Sequence, residues 1–158
     1  LTILWCGNNR LTSLDLSNNT ALIELLCYAN QLTSLDLSQN TALTYLDCGF
    51  NKLTSLDVSQ NTALTLFGCA ANQLTSLNVS KNTKLSLLYC HWNQLTSLDI
   101  QPLTSLTILW CGRQLAEGAV DPNYSELKLY MTQTQFDNED LGAGQNNEKV
   151  TRVPPDGK

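Results

Sequence analysis

Leucines recur at fixed intervals along most of this chain: Leu1, Leu4, Leu11, Leu14 and Leu16 are followed by Leu22, Leu25, Leu32, Leu35 and Leu37. The pattern restarts at Leu43, Leu64, Leu85 and Leu106, a period of 21 residues, and repetition on this scale marks an array of stacked units. Each unit reads LxxLxCxxNxLTSLDLSxNTA. The apolar residue at position 4 and the cysteine at position 6 alternate with period two, which predicts a short strand over positions 3 to 7 with Leu and Cys pointing inward. Positions 11, 14, 16 and 19 copy the spacing of positions 1, 4, 6 and 9, so each coil has a second strand-like side. Twenty-one residues leave little room for a helix. The pattern predicts a β-rich right-handed solenoid, with a parallel β-sheet on one face and short strands rather than helices on the other.

The two corners of each coil carry asparagine. Asn9, Asn30, Asn51, Asn72 and Asn93 mark one turn, and Asn19, Asn40, Asn61 and Asn82 the other. Asn tolerates turn conformations that most residues avoid, and its amide can satisfy inward-facing backbone groups. One coil has six inward apolar side chains, worth roughly 1.5 to 3 kcal/mol each on full burial, against about 1.5 kcal/mol for ordering each residue. A coil is therefore stable only when stacked on its neighbours.

The pattern decays from Ile100 onward. Gln101, Pro102 and Leu103 replace the Ser-x-Asn of earlier units, and the sixth unit reads CGRQL without its turn Asn. Residues 1–112 are read as the solenoid of six units, the last irregular, and 113–158 as a C-terminal cap and tail. Within the cap, Leu127 to Phe136 alternates with period two and predicts a final strand. DNEDLGAGQNN reads as a polar loop, with the acidic cluster 137–140 a solvated cap, and KVTRVPPDGK as a last extended piece. Leu1 opens in mid-motif, so an N-terminal cap or further repeats are expected upstream.

Composition narrows the chemistry. Nine Lys and Arg scattered among fourteen Asp and Glu, a net charge of −5, offer no phosphate-neutralising stripe, which excludes nucleic acid as a partner. No apolar run is long enough to insert in a membrane, and neither a signal peptide nor an LPxTG-type anchor is visible. The six cysteines include no CxxC pair, and the parallel Cβ vectors of in-register strands disfavour disulfides; they read as a buried ladder of free thiols. With a single histidine, His91, on the opposite face from Cys90, no zinc site or Cys-His dyad is expected. No metal, cofactor or enzymatic activity is expected, because the repeated Asp and Ser stand alike in every coil, unlike a unique catalytic centre. The file of Asp15, Asp36, Asp57, Asn78 and Asp99 reads as a solvated face.

Comparing the units with one another separates scaffold from information. LTSLDLS is nearly invariant, whereas the outward positions 3, 5, 7 and 8 of the first half vary. Seven of the eleven aromatic residues fall there or beside it: Trp5, Tyr28, Tyr45, Phe50, Tyr89, Trp92 and Trp110. Together with His91 they are the candidate ligand-binding residues, since exposed rings on a rigid sheet give large contact area at little entropic cost. Gly7, Gly49, Gly68, Ala70, Ala71 and Gly112 are expected to leave shallow grooves between them, and Glu24, Asp47, Lys52 and Arg113 to add polar contacts.

The half-unit LxxLxCxxN resembles the leucine-rich repeat with Cys in place of a third Leu. A 21-residue unit with one Cys per turn is similar to the cysteine-ladder repeats of the internalin J type, and LTSLDVSxNTALTxLxC arrays of secreted and surface proteins of Bacteroidetes are similar too. The resemblance covers residues 1–112. It implies a bacterial extracellular or cell-surface location and a role in adhesion, with a host surface among the expected partners. The combined expectation is a non-enzymatic module presenting the aromatic-rich face to a protein or glycan ligand. The alternative is a structural spacer or assembly subunit of an envelope complex.

Overall fold

The computed structural model of the protein describes residues 1–112, 127–132, 135 and 150–153. Among the described residues there are nine short strands, β1 (Ile3–Trp5), β2 (Glu24–Leu26), β3 (Tyr45–Asp47), β4 (Leu66–Gly68), β5 (Leu87–Tyr89), β6 (Ser97–Asp99), β7 (Ile108–Trp110), β8 (Leu127–Tyr130) and β9 (Val150–Val153). The first half of every coil enters one six-stranded sheet, ordered β1-β2-β3-β4-β5-β7 and parallel throughout. Each pairing joins equivalent residues, Leu4 to Leu25, Leu25 to Leu46 and Leu46 to Phe67, so the sequence period is the register. Leu25, Leu46, Phe67, Leu88 and Leu109 stack inward beside Cys27, Cys48, Cys69, Cys90 and Cys111, all fully buried.

The strands are shorter than the alternation predicts, ending at position 5 rather than 7. Position 8 explains this: Asn8, Ala29, Phe50, Ala71 and Trp92 all have left-handed backbone, φ 51 to 56°. That conformation turns the chain out of the sheet plane. The opposite side of the solenoid is a β-ladder only at its C-terminal end, where β6, β8 and β9 make a three-stranded parallel sheet. In the four earlier coils LTSLDLS runs as bends and turns, each step closed by single backbone bonds such as Lys52 N to Leu32 O (2.8 Å). In each of these coils the side chain at position 15, Asp15, Asp36, Asp57 or Asn78, accepts the N–H of the Ser two residues on. These bonds hold the three carboxyls below the usual range. Depressed carboxyls stabilise the fold above the unfolded value, 3.8, and lose that contribution as pH falls below it.

The asparagines stitch adjacent coils together. Asn51 Nδ2 donates to Cys48 O (3.1 Å) and Gly49 O (3.2 Å) in its own turn and to Cys27 O (3.1 Å) in the preceding coil, while its Oδ1 accepts Leu32 N–H (3.0 Å). Asn30, Asn72 and Asn93 repeat this pattern. At the other corner Asn40, Asn61 and Asn82 donate to two carbonyls of the preceding coil, 24 and 21 residues back.

The cap imitates this corner. In the next unit an Asn would be required to reach Ile100 O and Leu103 O, the equivalents of the carbonyls that Asn82 reaches. Gln135 Nε2 donates to both, at 2.8 and 2.9 Å, and its Oε1 accepts Thr132 N–H (2.7 Å). Ahead of it, β8 pairs Leu98 with Leu129 and Asp99 with Tyr130, and buries Leu129 and Met131 over the last apolar layer. The final strand therefore stops at Tyr130 rather than running to Phe136, because the chain must bring Gln135 back beneath the turn. The extended piece of the tail is β9. The loop DNEDLGAGQNN, its acidic cluster and Arg113 lie outside the described residues. Gln135→Ala removes a buried donor from two carbonyls and should cost about 1–3 kcal/mol in urea unfolding.

The six cysteines are free thiols, and all but Cys6 are buried. Burial pushes the Cys27 thiol up to about 12 and those of Cys48, Cys69 and Cys90 well above their ordinary value. A thiol so placed stays protonated at neutral pH and acts as a small core side chain, not a nucleophile.

Candidate functional site

The outward residues of the six-stranded sheet form two unlike halves. On the N-terminal coils Trp5 is 68% exposed, and its Nε1–H donates to Glu24 Oε1 at 2.8 Å. Tyr28 lies over Gly7, where an added Cβ would come within 2.8 Å of the ring, and its hydroxyl accepts Asn8 Nδ2 (3.2 Å). Tyr45 stands on β3, exposed, with no ring contact among the described residues.

On the C-terminal coils the rings join into one cluster. Tyr89 meets Trp110 edge-on with centroids 5.4 Å apart, His91 meets Trp110 at 5.7 Å and Trp92 at 5.0 Å, and Trp92 meets Phe50 at 5.9 Å. Phe50 and Trp92 occupy position 8 two coils apart, and the small Ala71 between them lets the rings touch. Edge-to-face pairs at these separations are favourable and fix ring orientation. The cluster nonetheless remains accessible, with Phe50 51% and Trp110 46% exposed.

His91 lies within this cluster, half-buried, with Nδ1 lacking a hydrogen-bond partner. Burial lowers its pKa below 6.5, partly opposed by the Trp110 backbone. A histidine favoured as neutral in the fold stabilises fully above 6.5 and loses that contribution as pH falls below it.

Two expectations differ in the structure. Two of the glycines do not leave open grooves: Tyr28 covers Gly7, and the Asp47 carboxylate lies over Gly68, 3.0 Å from where a Cβ would stand. Lys52 lies beyond the turn with Nζ on Gln31 Oε1 (3.4 Å) and is not part of the aromatic face. The sequence reading also missed the left-handed turn. Bulky side chains at positive φ are true outliers, and Phe50 and Trp92 hold a conformation costing of order 1–3 kcal/mol that Asn or Gly would relieve. Asn8 at the equivalent place was the signal for that turn. Among the described residues no group of His, Cys, Asp and Glu could hold a metal ion, and no helix is long and apolar enough to cross a membrane.

No family model and no curated protein matches the chain. Solved structures do. The functional domain of InlJ from Listeria monocytogenes, which includes a cysteine ladder, superposes with a TM-score of 0.70 at 39% identity over 83% of this chain. An internalin, InlF, of the same species gives 0.53 at 23% identity, and a leucine-rich-repeat protein of Leptospira interrogans 0.57 at 24%, each over 72% of the chain; these two show the fold alone. The chain spans 31% of the InlJ domain's length and 38 to 40% of the other two. With its 21-residue period, its parallel sheet of first half-units and its file of six thiols, the chain belongs to the leucine-rich-repeat proteins and is similar to the cysteine-ladder domain of InlJ.

Proposed function

We propose that the protein is a non-enzymatic binding module at the bacterial cell surface, and that its ligand is a protein docked on the outward face of the six-stranded sheet. One observation carries this reading. Phe50 and Trp92 place large apolar rings on a left-handed turn that Asn8, Ala29 and Ala71 hold with the same backbone and smaller side chains. A feature that costs stability and contributes nothing to the core points to function. Repeat solenoids use such extended sheet surfaces for partners, and clustered Trp and Tyr are the residues that dominate protein contacts. A protein fits better than a glycan because the C-terminal rings close edge-on against one another, whereas a sugar stacks on an open ring face.

The test screens the protein in parallel on an array of extracellular proteins and on a glycan array. Replacing Trp5, Tyr89, Trp92 and Trp110 together by Ala should abolish the protein hits, at least a hundredfold in affinity, while the unfolding transition stays cooperative. Hits confined to glycans would overturn the choice of ligand. Protein binding unchanged in the quadruple variant would overturn the choice of face and favour a spacer in an envelope assembly.

A further inference from the structure

The outward rows of the sheet carry two carboxylates, Glu24 and Asp47, and no lysine or arginine among the described residues. Glu24 is engaged by Trp5. Asp47 is different. Its Oδ1 accepts one hydrogen bond, from Gly49 N–H at 3.0 Å, and it has no cation partner among the described residues. Two glycines give it room. A Cβ at Gly68 or at Gly49 would stand 3.0 or 3.2 Å from Oδ1, so a methyl group at either place would push the carboxylate aside by a few tenths of an ångström.

The contact with Gly49 resembles the bonds by which Asp15, Asp36 and Asp57 brace their turns, yet the outcome is opposite. Those three are open to solvent and their carboxyls are shifted down; the Asp47 carboxyl is half-buried and shifted up, burial outweighing the hydrogen bond. Tyr45 feels the charges of Asp47, Glu24 and Tyr89, so these groups share one neighbourhood. A raised carboxyl pKa means that ionised Asp47 works against folding at neutral pH. Asn at this position would keep the turn bond without the charge, so the turn alone does not account for the aspartate.

We propose that Asp47 anchors a basic side chain, a lysine or arginine of the protein partner, whose charge meets the carboxylate over Gly68 while its stem lies against the rings of Tyr45 or Phe50. This rests on the reading of the sheet as the protein-binding face. A partly desolvated carboxylate flanked by aromatic rings suits a cation twice over, through ion pairing and through the ring faces. Among the described residues the face has no positive charge of its own to compete, and the net charge of −5 steers a basic segment toward it.

Fluorescence anisotropy with labelled oligo-arginine, oligo-lysine and oligo-glutamate peptides tests this on the whole chain. The basic peptides should bind and oligo-glutamate should not. Asp47→Asn should weaken that binding about tenfold and leave the unfolding midpoint unchanged or raised, whereas Asp36→Asn on the opposite side should change binding less than twofold. Gly68→Ala, which displaces the carboxylate, should act in the same direction as Asp47→Asn. Equal losses for Asp36→Asn and Asp47→Asn would show diffuse charge attraction and overturn the site, as would no binding of the basic peptides. If Trp92→Ala weakens binding while Asp47→Asn does not, the binding face stands and the cation site falls. If Asp47→Asn weakens it while Trp92→Ala does not, the site stands without the aromatic cluster.

Discussion

Asn51→Ala should destabilise the protein by about 3–5 kcal/mol in urea unfolding, more than truncating any exposed aromatic ring. The amide serves four backbone groups in two coils. Its loss leaves Leu32 N–H, buried, with no acceptor, and takes one of two asparagine donors from Cys27 O and from Cys48 O. An orphaned buried donor costs about 1–3 kcal/mol, and each further hydrogen bond about 0.5–1.5. Asn51→Asp should be no better, since a carboxylate can receive Leu32 N–H but would aim its second oxygen at carbonyl oxygens and bury an unpaired charge. Asn9→Ala gives the control. Asn9 is exposed and bonds only Cys6 O and Gly7 O, so the same change there should cost under about 1 kcal/mol. Equal effects at positions 9 and 51 would show that the asparagines act within their own turns and not as links between coils.

Phe67 is the second site of large effect. It is the largest fully buried side chain among the described residues and stands where the other coils carry Leu4, Leu25, Leu46, Leu88 and Leu109. Phe67→Ala should cost about 3–5 kcal/mol, through lost transfer energy and an unfilled space between layers. Phe67→Leu restores the residue of the neighbouring rungs and should cost under about 1.5 kcal/mol. Midpoints of chemical unfolding for the two variants check this. A leucine variant as unstable as the alanine variant would mean that the fourth coil is locally shaped around a ring.

The solenoid was legible because each unit is an independent statement of the same constraints: Leu at 4 and Cys at 6 set the inward side, and Asn at 9 and 19 set the corners. The strand ends were less legible. Alternation continues through positions 6 and 7, but backbone geometry at position 8 turns the chain, and only Asn8 hints at it. The six cysteines were readable as thiols because parallel side chains do not close disulfides. The cap was largely illegible, since Gln135 takes the role of an Asn from a different residue type at a different spacing. Exposure of Trp5, Tyr45 and Trp110 followed from alternation, but the side-by-side placement of Phe50 and Trp92 depends on two ladder steps and a shared turn conformation. Asp47 escaped attention as a distinct group because its environment is made by Gly68, 21 residues on.

The constancy of the asparagine links has a consequence for how such a protein can change. Every asparagine link between these coils joins residues 19, 21 or 24 apart, so excising one whole unit, residues 51–71, would hand each broken bond to an equivalent partner. Asn72 would inherit the place of Asn51, and the core would close without a gap. The outer surface would be rewritten at the same stroke: Phe50 and Trp92 would become immediate neighbours, and Asp47 would lie against Tyr89 instead of Gly68. A genetic event that merely drops or duplicates one unit can thus recombine the surface into a new partner preference, with no single side chain in the scaffold having to adapt.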